Sequence, residues 1–114
     1  MKHLPLIDAA YDGNIEDVQE QLDAGANVNE KDYDDCGLST LLHRASMMGH
    51  KEVAGLLITK GADVNAKDAV WVEDESVVGE TPLDWAIEKN HTETADLLRK
   101  HGGKTGEELK AEGK

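Results

Sequence analysis

Five histidines and one cysteine are the soft donors this chain could offer a metal, so their spacing is where chemistry would show first. A zinc site draws on close pairs such as Cys-x-x-Cys or His-x-x-x-His, whose members project to one side of the backbone. Neither spacing occurs: His43 and His50 are seven residues apart, and Cys36 is solitary. Gly102 to Glu108 reads GGKTGEE, which contains the Gly-Lys-Thr of a phosphate loop. That loop also needs a glycine five residues before its Gly-Lys-Thr, and Leu98 stands there. Thr105 and Glu108 instead have the spacing of a capping box, so a short helix through Ala111 is predicted to lay Leu109 over the preceding layer. Asn90-His91-Thr92 is a formal glycosylation acceptor, but it falls at an expected junction of two helices. No Ser/His/Asp set and no pair of carboxylates can be placed together in a pocket. The expectation is a protein that is not an enzyme and holds no metal and no cofactor.

The elements that carry these residues recur. Segments 4–32, 40–68 and 81–103 align without gaps across their helical parts, at spacings of 36 and then 41 residues. Gly13, Gly49 and Asn90 correspond, as do Gly25, Gly61 and Gly102. Leu42 and Ala45, like Leu83 and Ala86, are three apart and make the apolar side of a short first helix. Gly49 comes next, where a chain leaving a helix enters the left-handed region without a Cβ penalty. A second helix then carries Val53, Leu56, Leu57 and Ile58. Thr40 and Thr81 stand where an N-cap belongs, and Pro82 takes the first helical position, which needs no N–H. Helices are predicted over about 5–12, 14–24, 40–48, 50–60, 82–89 and 91–101. Leu42, Ala45, Val53, Leu57, Leu83, Ala86 and Leu98 are the predicted core.

TLLHRA (40–45), TPLDWA (81–86), MGHKEVAGLL (48–57), GANVNEKD (25–32) and GADVNAKD (61–68) resemble the ankyrin repeat, whose motif runs T-P-L-H-x-A-A, G-H-x-x-V-V-x-L-L, G-A-D-x-N. The resemblance covers about residues 4–103. It implies an all-α solenoid of three helix-turn-helix repeats with β-hairpin fingers, lining a concave face together with the first helices. It also implies that His43 caps backbone groups between adjacent turns and that His50 opens a second helix. Leu41 replaces the motif proline, and Asp84 replaces its histidine; neither change threatens the fold. Glu20 and Gln21 stand where the middle repeat has Leu56 and Leu57, as expected of a first layer with one face in water. Repeats are expected at about 4–36, 37–78 and 79–103, forming a domain over 1–103, with 104–114 as a tail or short capping helix. Three layers are about the minimum for a stable array, so the chain is expected to be a whole one.

Charge narrows the partner. The net charge is −12, and residues 1–36 hold ten acids against two bases. Such a surface repels phosphate backbones, which disfavours nucleic acid. It attracts a basic protein surface, or it serves only to keep the chain dissolved. Asp8 and Asp12 fall where a signal peptide needs an apolar run, and no stretch approaches a membrane span. With a lone cysteine, a cytoplasmic monomer is expected.

The departures from a regular period mark the candidate contacts. The first connection, 33–39, begins with Tyr33. The second, 69–80, places Val70, Trp71 and Val72 and then Val77 and Val78 around an acidic tip, the pattern of an elongated second finger. Trp71 either anchors a partner or folds back on the neighbouring finger. The motif places Tyr11, Asp12, Met47, Met48, Glu88 and Lys89 at the ends of the first helices, facing the concave side. Met47 and Met48 would give an adaptable apolar patch, with one of the two packed under a finger. Trp85 is expected to be partly buried. The function expected is a non-catalytic module that binds a partner protein through the concave face and fingers. An inhibitor or immunity-type protein that blocks an enzyme with the 69–80 finger is the alternative. A small-molecule or metal-binding domain is the second.

Overall fold

Each of the second and third layers begins at a threonine that closes a capping box. In the computed structural model, which describes residues 6–29, 31–34, 37–67, 69–70 and 79–112, Thr40 opens α3 (Leu41–Met48) and Thr81 opens α5 (Pro82–Glu88). Both threonine side chains accept from the N–H three residues on, and His43 and Asp84 accept from the threonine N–H in return. These helices lead into second helices, α4 (Lys51–Thr59) and α6 (Thr92–Lys100). The first layer pairs α1 (Leu6–Asp12) with α2 (Ile15–Asp23) in the same way. A further capping box, Thr105 with Glu108, opens α7 (Gly106–Ala111), and Leu109 is buried there.

First helices stack on first helices, α1 on α3 and α3 on α5, and second helices likewise, α2 on α4 and α4 on α6. Helices therefore stack in sequential pairs, as an ankyrin solenoid requires. All seven predicted core residues are at most 1% exposed. Their size decides the tightness of stacking: Ala9, Ala10, Ala45 and Ala86 are fully buried on the first helices, so neighbouring backbones approach closely. Glu20 is exposed and Gln21 half-buried, whereas Leu57, the middle-layer equivalent of Gln21, is fully buried.

Between the first two layers, β1 (Lys31–Asp34) and β2 (Gly37–Thr40) pair antiparallel, Lys31 opposite Thr40 and Asp34 opposite Gly37. β3 (Ala69–Val70) joins the other edge of β2, with Leu38 opposite Ala69, so the two connections share one sheet in the order β1-β2-β3.

Candidate functional site

The candidate surface is the outer strip of the first helices, and its geometry is set by their periodicity. Leu6, Ala9 and Ala10 occupy the buried side of α1. Positions 8, 11 and 12, spaced three and four apart, therefore share the opposite side. Asp8, Tyr11 and Asp12 are all exposed. The equivalents in the second layer are Arg44, Met47 and Met48, and in the third Trp85, Glu88 and Lys89. Tyr11 is 42% exposed and Met48 38%, while Met47 is half-buried, so one methionine of the pair packs and the other reaches solvent. Glu88 and Lys89 are exposed. Trp85 is half-buried with its ring edge-on to His43, centroids 5.1 Å apart. Tyr33 lies in β1, opposite Leu38. Trp71 falls outside the described residues.

The backbone beneath this strip is pinned by histidines from the next layer. The last four carbonyls of a helix have no partner within it. His50 Nε2 donates to the Tyr11 carbonyl at 2.8 Å, and His91 Nε2 to the Met47 carbonyl at 3.0 Å. A carbonyl only accepts, so each Nε2 carries the proton. Each ring lies close against the glycine just beyond the preceding first helix. A Cβ on Gly13 would come within 2.6 Å of His50 Nδ1, and one on Gly49 within 2.5 Å of His91 Nδ1. Both glycines are left-handed, with φ of 77° and 72°. Glycine is required there twice, for its dihedral and for the ring. Asn90 takes the same left-handed turn at φ 61° with its Cβ in place. In the first layer the histidine position is Asn14, which caps its own helix by accepting from the Asp17 N–H.

Further side-chain contacts to the backbone fix the layers. Asn29 accepts from Asp63 N–H at 2.8 Å and donates to the Gly61 carbonyl at 3.4 Å. Asn65 repeats this one layer on, with Lys104 N–H at 2.7 Å and the Gly102 carbonyl at 3.1 Å. His43, capping Thr40 through Nδ1, donates from Nε2 to the Glu80 carbonyl at 2.8 Å. In the last layer Asp84 replaces it and, being an acceptor only, takes the N–H of Gly106 at 2.7 Å. His43, His50 and His91 are thus occupied with backbone carbonyls.

Sequence reasoning missed Ile87, which is 47% exposed. Its equivalents Ala10 and Ser46 are fully buried under the next layer. Aligning the three positions gives the signal: two small residues in the layers that carry another layer here, a large one in the third.

Residues 6–108 match the family model for ankyrin repeats in three copies. Relatives include a serine/threonine-protein kinase of Arabidopsis thaliana, "Serine/threonine-protein kinase 12", 36% identical across 83% of this chain and 18% of its own length. An E3 ubiquitin-protein ligase of the same plant is 33% identical across 82% of this chain and 16% of its own. The mitochondrial liver glutaminase of the mouse is 35% identical across 82% and 14%. The chain thus spans less than a fifth of the length of these relatives. Ankyrin repeats are generally protein–protein interaction modules, and among the described residues no helix is long and apolar enough to cross a membrane. Three sequential helix pairs, their interlayer histidines and asparagines, and the match over residues 6–108 place this chain in the ankyrin-repeat family.

Proposed function

We propose that this chain is a non-catalytic, monomeric binding module of the cytoplasm. Its partner is a protein held across the exposed strip of the first helices and the 69–80 connection. Residues 1–103 form the array on this reading, and 104–114 close its end. One observation carries it: Tyr11 and Met48 are large side chains left exposed on helices that bury Leu6, Ala9 and Ala10 or Leu41, Leu42 and Ala45 on another side. The lock by His50 and His91 supports it, since it holds the backbone of Tyr11 and Met47 fixed before any partner arrives. Pre-organisation of this kind lowers the entropy lost on binding.

Affinity capture from the native source, with calorimetry on the recovered protein, tests this. Replacing Tyr11, Met48 or Trp71 by alanine is expected to weaken that complex, Trp71→Ala by more than about 2 kcal/mol. Thermal stability should move little for the two exposed residues. Undiminished affinity in all three variants would remove the strip and the connection from the interface. If Trp71→Ala lowers stability and leaves affinity unchanged, the tryptophan is a packing residue and the interface falls to Tyr11, Met47 and Met48.

A further inference from the structure

Building on that reading, we infer that the strip selects a linear segment with a cationic residue beside an apolar anchor, lying so that its cation meets the first layer. The three layers present different chemistry at equivalent positions. Layer one offers Asp8 and Asp12 together with Tyr11, all three exposed. Neither acid has an ion pair among the described residues. Layer two offers Met47 and Met48, with Arg44 already engaged within the protein. Layer three offers Glu88 and Lys89, opposite in sign and without net charge, next to Trp85. The floor therefore runs from acidic and aromatic, through apolar, to balanced. Tyr11 on the same side of α1 as two carboxylates suits an Arg or Lys, because an aromatic ring face and both anions attract the same charge. The methionines suit a flexible range of aliphatic or aromatic anchors.

Spacing makes the occupant concrete. Packed helices lie about 8–10 Å apart. An extended chain covers about 3.3 Å per residue, so residues three apart reach from the first layer to the second. The fitting segment carries Lys or Arg three residues from a Leu, Met or aromatic residue, in one direction only. A segment with the opposite charge meets two carboxylates at the first layer, and one with its cation at the far end meets only the balanced Glu88 and Lys89.

Selection from a displayed library of random 12-residue peptides against the intact chain tests this. Enriched peptides are expected to hold the cation and the anchor at that spacing. Each should bind Asp8→Lys/Asp12→Lys at least tenfold more weakly, and selection on that variant should enrich acidic residues instead. A nitroxide on the cationic end should broaden the amides of Tyr11 and Asp12, and one on the other end those of Glu88 and Lys89. Peptides that need the methionines, by Met47→Ser/Met48→Ser, yet bind the lysine variant equally would overturn the charge assignment and leave the strip standing. Peptides indifferent to the methionine change would overturn the strip itself. A library that enriches nothing would overturn the linear occupant. All substitutions except Met47→Ser fall at exposed positions, and unchanged helical circular dichroism is the control for each variant.

Discussion

Gly49 and Asn90 hold equivalent places and the same left-handed turn, yet of the two it is Gly49 that has a histidine ring from the next layer beside it. Gly49→Ala should therefore suffer twice. A non-glycine residue in that region is strained by roughly 1–2 kcal/mol. The new Cβ also displaces His91 from the Met47 carbonyl, losing a hydrogen bond worth about 1 kcal/mol. A destabilisation of about 2–3 kcal/mol in urea unfolding is the expected outcome. Asn90→Ala keeps a Cβ already accommodated and should lose only the tolerance of asparagine for the turn, well under half as much. Equal losses at the two positions would mean that His91 has no part in the first. The glycine itself was legible in the sequence as a helix terminator. Its second role was not, because the ring it accommodates comes from more than 40 residues away at His91. The same limit hid Ile87, whose exposure is set at the outer face of the third layer and not by its neighbours in sequence.

At the scale of elements, α7 shows how a short helix of six residues is kept folded. Isolated helices of this length do not form in water, so its ends must be held from outside. The Glu108 carboxylate accepts from Thr105 N–H at 2.9 Å, and Arg99 Nη1 forms an ion pair with the same oxygen at 3.2 Å. Hydrogen bonding from the Thr105 backbone, ahead of the smaller attraction of Arg99, holds this carboxyl below its ordinary value of 4.5. A carboxyl depressed in the folded chain contributes stability that is present above the unfolded value and lost as pH falls through the folded one. Protection of the Thr105 amide against hydrogen exchange should thus decline below about pH 4.5. Glu108→Gln keeps an acceptor at the position and removes the titration, so its protection should stay level over the same range. Parallel decline in both would assign the effect to other carboxylates. This helix was readable from Thr105 and Glu108 because a capping box is local, three residues end to end. The six repeat helices were readable for the same reason, since each carries its own apolar side and closing turn. What periodicity could not supply was the pairing of β3 with β2, which depends on register between two connections about 30 residues apart.

For the whole molecule, charge is distributed along the stack more unevenly than packing demands. Residues 1–36 hold ten of the 24 acids and only two of the 12 lysines and arginines, while residues 102–114 balance. Two surface ion pairs, Lys60 with Asp23 at 2.9 Å and Lys51 with Glu93 at 3.1 Å, join neighbouring layers. Among the described residues they leave Asp8, Asp12 and Glu16 uncompensated. Pairs this exposed add little to stability, so the excess of acid in the first layer has no evident structural return. Its reach is longer than a contact: at low ionic strength the field extends tens of ångströms, and at about 0.1 M salt it is screened within roughly 10 Å. If that field steers a basic partner toward the first layer, the association rate should fall about tenfold or more between roughly 10 mM and 150 mM salt. The dissociation rate should change far less, since separation begins from contacts already inside the screening length. Neutralising Asp8, Asp12 and Glu16 as amides should flatten the salt dependence. Neutralising Glu107 and Glu112 in the balanced tail should leave it as it was. Stopped-flow association over that salt series, with both sets of variants, separates steering from solubility. A rate indifferent to salt would leave the acidity of the first layer as a means of keeping the chain dissolved, and a slope indifferent to which acids are removed would assign steering to net charge and not to its placement.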